Sequence, residues 1–181
     1  MKSAILSAFL PLMAVSATLG AVDDARASER DKKFFQQIEG EWVGPGEIVA
    51  GKYKGTRFNC TFAGSTPEKS VGMTLDGTCR VGVFTQKMSA TIERRGKSYR
   101  GSFMDGAAGK GLDVVSGNVV GNKVVLGLNR KQLNGAMIAR LSADNKMTVT
   151  VSVRVEQQMI PVIGVNLTRV DAAGVGSVAR Q

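Results

Sequence analysis

Met147-Thr148-Val149-Thr150-Val151-Ser152-Val153-Arg154 alternates apolar and polar side chains without a break. Successive side chains of a β-strand point to opposite faces, so this segment predicts a strand with one dry face and one wet face. That arrangement belongs to antiparallel sheet. The same period of two extends outward over most of the chain, in runs at about 41–50, 55–63, 71–83, 86–94, 98–104, 112–120, 123–129, 135–142, 147–154 and 162–170. Between them stand turn formers: Ala50-Gly51-Lys52, Ser65-Thr66-Pro67, Arg95-Gly96-Lys97, Gly121-Asn122, Asn134-Gly135 and Asp144-Asn145.

Ten short strands without intervening helices predict an all-β domain, either a closed antiparallel barrel of about 8–10 strands or a sandwich. Glycines within the runs (Gly44, Gly46, Gly72, Gly77, Gly82, Gly117, Gly127) favour the strong coiling and corners of a small barrel. Ahead of the strands, Ser28 to Glu39 has a helical pattern. Ser28 with Asp31 suggests a capping box, Phe34, Phe35 and Ile38 form an apolar face, and Gly40 ends it. The expected organisation is a signal peptide over 1–27, a short helix over 28–39, a barrel over 40–170 and a disordered tail over 171–181.

The signal peptide rests on Met1-Lys2-Ser3 as a positive start, the apolar run Ala4–Ala21, and Ala25-Arg26-Ala27 with small residues at the −3 and −1 positions. Cleavage after Ala21 is the second choice, because it places Leu19 at −3. Pro11 and the small residues of the run argue against a spanning anchor. The expected location is therefore the periplasm or the exterior. In that oxidising setting Cys60 and Cys79 are expected to pair. Phe58, Cys60 and Phe62 share one strand face, and Val71, Met73, Leu75, Cys79 and Val81 share a face of the next. Facing cysteines on neighbouring strands fall within disulfide range, and closing a loop of this length stabilises by roughly 3 kcal/mol.

Chemistry is constrained mainly by what is missing. The chain of 181 residues has no histidine, which removes Ser-His-Asp triads, Cys-His pairs, His-ligated zinc and His-ligated haem. Asp105–Asp113 encloses a Gly-rich stretch around Lys110, but it lacks the spacing and the Ser/Thr of a phosphate loop, and its two aspartates do not match a calcium loop. The remaining carboxylates form no motif. No catalytic residue, metal ligand or cofactor site is expected, and the chain is not expected to be an enzyme.

The net charge of +9 is spread over many strands without an aromatic platform, so nucleic acid is not an expected partner. Such charge is ordinarily solubilising, yet it also attracts anionic envelope surfaces. Arg94, Arg95, Lys97 and Arg100 around one hairpin turn are the first place to look. Met73, Met88, Met104, Met137, Met147 and Met159 fit either an irregular core or a cavity for a flexible apolar ligand. Nothing in the sequence sets an oligomeric state.

A helix running into Gly40-Glu41-Trp42 at the head of the first strand resembles the G-x-W opening of lipocalins and related calycin barrels. Those barrels place a basic residue near the end of the last strand, stacked over the tryptophan. The resemblance assigns that place to Arg169 and implies that Trp42 and Arg169 close the barrel. A guanidinium over an indole contributes roughly 0.5–2 kcal/mol. Nitrobindin-like barrels open similarly but hold haem through a histidine, which is absent here. Bacterial metalloprotease-inhibitor barrels are also similar, being exported and carrying one disulfide. The expected function is binding of a small hydrophobic or lipid-like ligand within the barrel, in service of the cell envelope. The alternative is a protein-interaction module such as a periplasmic protease inhibitor.

Overall fold

The structure is a computed structural model that describes residues 19–104 and 111–170. Residues 1–18 of the expected signal peptide, residues 105–110 of the Gly-rich stretch and the tail at 171–181 lie outside the described residues. One helix, α1 (Leu19–Gln36), precedes ten strands. These are β1 (Gly40–Ile48), β2 (Arg57–Ser65), β3 (Gly72–Val81), β4 (Phe84–Arg95), β5 (Ser98–Met104) and β6 (Leu112–Val120), followed by β7 (Lys123–Arg130), β8 (Leu133–Ser142), β9 (Lys146–Val155) and β10 (Gln158–Val170). Each strand pairs antiparallel with its sequence neighbours, and β10 pairs with β1. The result is a closed barrel. Closure leaves no sheet edge to be covered.

The boundaries expected from period two match the strands to within a few residues, with two informative differences. The run at 71–83 ends at Val81, because Gly82 and Val83 form the hairpin turn into β4, with Gly82 at φ +56°. A left-handed backbone at that position suits glycine and few other residues. The helix is longer than expected at its start and shorter at its end, spanning Leu19–Gln36 rather than 28–39. In the unprocessed chain Ser28 is therefore an interior helical residue and not a cap.

Inside the barrel the apolar faces meet. Trp42, Leu126, Val119, Val124, Val114 and Leu128 are almost fully buried. At Gly46 the inner surface needs the absence of a side chain: a Cβ there would lie 2.2 Å from the Phe58 ring. The ladder is regular except at two bulges, Pro161/Ile163 in β10 and Val114/Ser116 in β6. The second turns Val115 and Ser116 outward in succession, which breaks the period of two at that point. Only Gly101–Phe103 of β5 pair with β6; beyond them the Ser98 hydroxyl bridges to Gly117, accepting from its N–H at 3.1 Å.

Candidate functional site at the open end of the barrel

Strand direction sorts every connection to one of two ends. The turns at 96–97, 121–122 and 143–145 lie at the end carrying α1, together with the start of β1 and the finish of β10. This end is sealed. Phe34, Phe35 and Ile38 sit over the lumen fully buried, and the Phe35 ring meets Tyr99 edge-on with centroids 5.3 Å apart.

Two polar devices pin the helix there. Asp31, buried on α1, accepts from the Tyr99 hydroxyl at 2.8 Å and from Arg94 Nη1 at 3.4 Å. Arg94 is itself largely covered and also reaches Asp24 at 3.9 Å. Burial, reinforced by the bond to Asp31, pushes the Tyr99 pKa well above its ordinary value, so the phenol remains a donor. At the other end of the helix, Trp42 Nε1 donates to the Ile38 carbonyl at 2.8 Å. Arg169, the register partner of Trp42, places its guanidinium 4.6 Å from the indole centroid and donates to the carbonyls of Gln37 and Glu39. Cations at the unsatisfied carbonyls of a helix C-terminus are favourable.

The structure thus brings Trp42 and Arg169 together, and it pairs Cys60 with Cys79. These cysteines are direct register partners with Cα atoms 4.1 Å apart and form a disulfide from β2 to β3. Cys60 is buried in the core while Cys79 is half-buried. The basic hairpin is engaged by carboxylates only in part. Arg94 is engaged with Asp31 and Asp24, Lys97 lies 3.9 Å from Asp24, and Arg95 lies 2.6 Å from Glu93. Arg94 is thus tied to the N-terminal helix, whereas Arg95, Lys97 and Arg100 remain exposed.

The opposite end has no counterpart to α1 among the described residues. Inward-facing Ile48, Phe58, Met88, Phe103, Leu112 and Ile163 remain half-buried. Nearer the rim the inward-facing Val81, Leu133 and Val155 are exposed. Arg130 also turns inward here, donating through Nε to the Gly111 carbonyl at 2.7 Å. An apolar mouth with few polar groups is the usual chemistry of a site for a hydrophobic small molecule. A second concavity, about 740 Å³, lies on the outer surface across β6, β7 and β8. The small residues Ser116, Gly127, Gly135 and Ala136 line it together with Val115 and Met159.

Sequence reasoning missed the Asp31–Tyr99–Arg94 cluster and the exposed tip of the β3–β4 hairpin. The signal for the tip was present: Val81-Gly82-Val83-Phe84 places apolar residues where turns normally carry polar ones. No group of metal-ligating side chains occurs among the described residues. No helix among them is long and apolar enough to cross a membrane.

No protein-family model and no curated protein matches the chain. Among solved structures, that of Rv2717c from M. tuberculosis is similar, with a TM-score of 0.54 and 15% identity over 78% of this chain and 98% of that one. The likeness is one of fold. A closed antiparallel barrel of this kind is consistent with a calycin-like architecture, and the disulfide is consistent with an exported protein.

Proposed function

We propose that this protein is an exported, non-enzymatic barrel of calycin-like type that binds a small hydrophobic or lipid-like ligand through its open end and serves the cell envelope. One observation carries the reading: inward-facing apolar side chains are sealed at the helix end and remain accessible at the other. An accessible apolar surface inside a rigid barrel gives affinity through area removed from water, at roughly 25 cal/mol per Å². In this reading Trp42 and Arg169 close the barrel, and neither touches the ligand.

Native mass spectrometry of protein purified from an envelope fraction tests this reading. A mass excess lost on denaturation is expected, as is uptake of added lauric acid. A bare mass that takes up no lauric acid would overturn it. The outer concavity across β6–β8 favours the alternative, a protein-interaction module such as a periplasmic protease inhibitor. Crosslinking in whole cells would then yield a discrete heteromeric adduct, and substitutions at Val115 and Met159 would abolish it.

A further inference from the structure

Among the described residues, nine of the thirteen exposed large hydrophobic residues sit at the open end: Val49 and Tyr53 in the β1–β2 connection, Val81, Val83 and Phe84 at the β3–β4 hairpin, and Met104, Leu133, Val155 and Met159 around the rest of the rim. The most protruding are Val83 and Phe84, at 90% and 78% exposure. Exposed cations surround them. Lys52 and Lys54 flank Tyr53, Arg80 and Lys87 flank the hairpin tip, and Lys131 and Arg154 occupy two other rim positions. Glu47, Asp113 and Glu156 are the carboxylates on the described part of this rim, and Glu47 is engaged with Arg57 at 3.8 Å. At the helix end, by contrast, Asp31 pairs with Arg94 and Glu93 with Arg95, and Asp24, which cleavage after Ala27 would remove, lies 3.9 Å from both Arg94 and Lys97.

Apolar tips framed by lysine and arginine match the interfacial zone of an anionic bilayer, where acyl chains meet negative head groups. The outward faces of the strands are mostly polar and the lumen is apolar, the reverse of a barrel that spans a membrane. We infer that the open rim docks end-on to an anionic phospholipid surface, with Val83 and Phe84 inserted and the ring of cations held at the head groups. This inference does not require that the lumen hold a ligand, but it would place the proposed mouth against the surface from which a lipid-like ligand comes.

Flotation with vesicles tests the inference, using protein purified from cells with its N-terminus determined by intact mass. Phosphatidylcholine vesicles containing about 30 mol% phosphatidylglycerol should carry the protein, and pure phosphatidylcholine vesicles should not. Binding should weaken as salt rises to about 0.5 M. Replacing Lys52, Lys54 and Arg80 by Gln should weaken binding roughly fivefold per cation. F84S should weaken it about tenfold. Replacing Arg95 and Arg100 by Gln at the helix end should leave it unchanged. F84W should shift its emission to the blue on binding, against the constant background of buried Trp42. Binding that is absent, indifferent to the rim substitutions, or equally sensitive to the helix-end pair overturns the inference. So does binding confined to lipopolysaccharide, or a dimer dissolved by F84S, which would assign the rim to a second copy of the chain.

Discussion

The two ends of the barrel are made by the same ten strands, yet they use the same residue types for opposite purposes. At the helix end aromatic residues are interior. Phe34, Phe35, Trp42 and Tyr99 interlock, and the charged groups among them are satisfied by one another or by helix carbonyls. At the open end Phe84 and Tyr53 face solvent, and the nearby cations outnumber the carboxylates. A closed cylinder needs only one plug to have a core. Once α1 supplies it, the second end is free to stay accessible at little expense in stability.

The largest expected effect tests the sealed end. Phe35→Ala should cost about 3–5 kcal/mol in urea unfolding, as a buried aromatic leaves a cavity, whereas Phe84→Ala should fall within about 0.5 kcal/mol of the parent. Comparable losses at both positions would erase the contrast between the ends. Reducing the Cys60–Cys79 disulfide, or replacing both cysteines by Ala, should cost roughly 3 kcal/mol through the greater freedom of the unfolded chain. Unfolding of the oxidised and reduced protein under the same conditions checks this.

A smaller effect separates the two helix attachments. Tyr99→Phe should lose about 1.5–3 kcal/mol near neutral pH, because it removes a hydrogen bond to a carboxylate. Its pH dependence carries a defined sign. The folded pKa of Tyr99 lies above the unfolded value, so the tyrosine's contribution is fully present below about pH 10 and declines as pH rises beyond it. The gap between parent and variant should therefore narrow in that alkaline range, and a constant gap would contradict the placement of the Tyr99 hydroxyl. Arg169→Lys keeps the charge but loses the planar stack on Trp42 and the forked donation to Gln37 and Glu39. It should cost about 1–2 kcal/mol.

Much of this architecture was legible because alternation reports directly on which side of a strand faces water. Met147–Arg154 predicted β9 almost residue for residue, and the Phe58-Cys60-Phe62 face placed Cys60 opposite Cys79. What was not legible depends on where α1 lands. Asp31 fitted a capping box by local spacing, and nothing local shows that its carboxylate meets Tyr99 and Arg94 across more than sixty residues of chain. For the same reason nothing local in the cluster Arg94–Arg100 shows that its first member is a largely covered partner of the helix while Arg95, Lys97 and Arg100 stay exposed. The functional rim was hidden differently. Its residues come from separate connections and share a neighbourhood only after the strands fix which loops lie at the same end. Phe84 alone, read locally, is one more apolar strand residue.

The methionines offer the most direct test, because they sample both ends. Met73 and Met147 are buried in the sealed half, Met88 faces the lumen in the accessible half, and Met159 borders the outer concavity. Methyl-labelled methionine spectra should be recorded while lauric acid is added. The account predicts saturable shifts at Met88, with Met73, Met147 and Met159 little changed. Shifts at Met159 alone would move binding to the outer surface, and shifts at Met73 and Met147, or at none of the four, would contradict an apolar site at the open end.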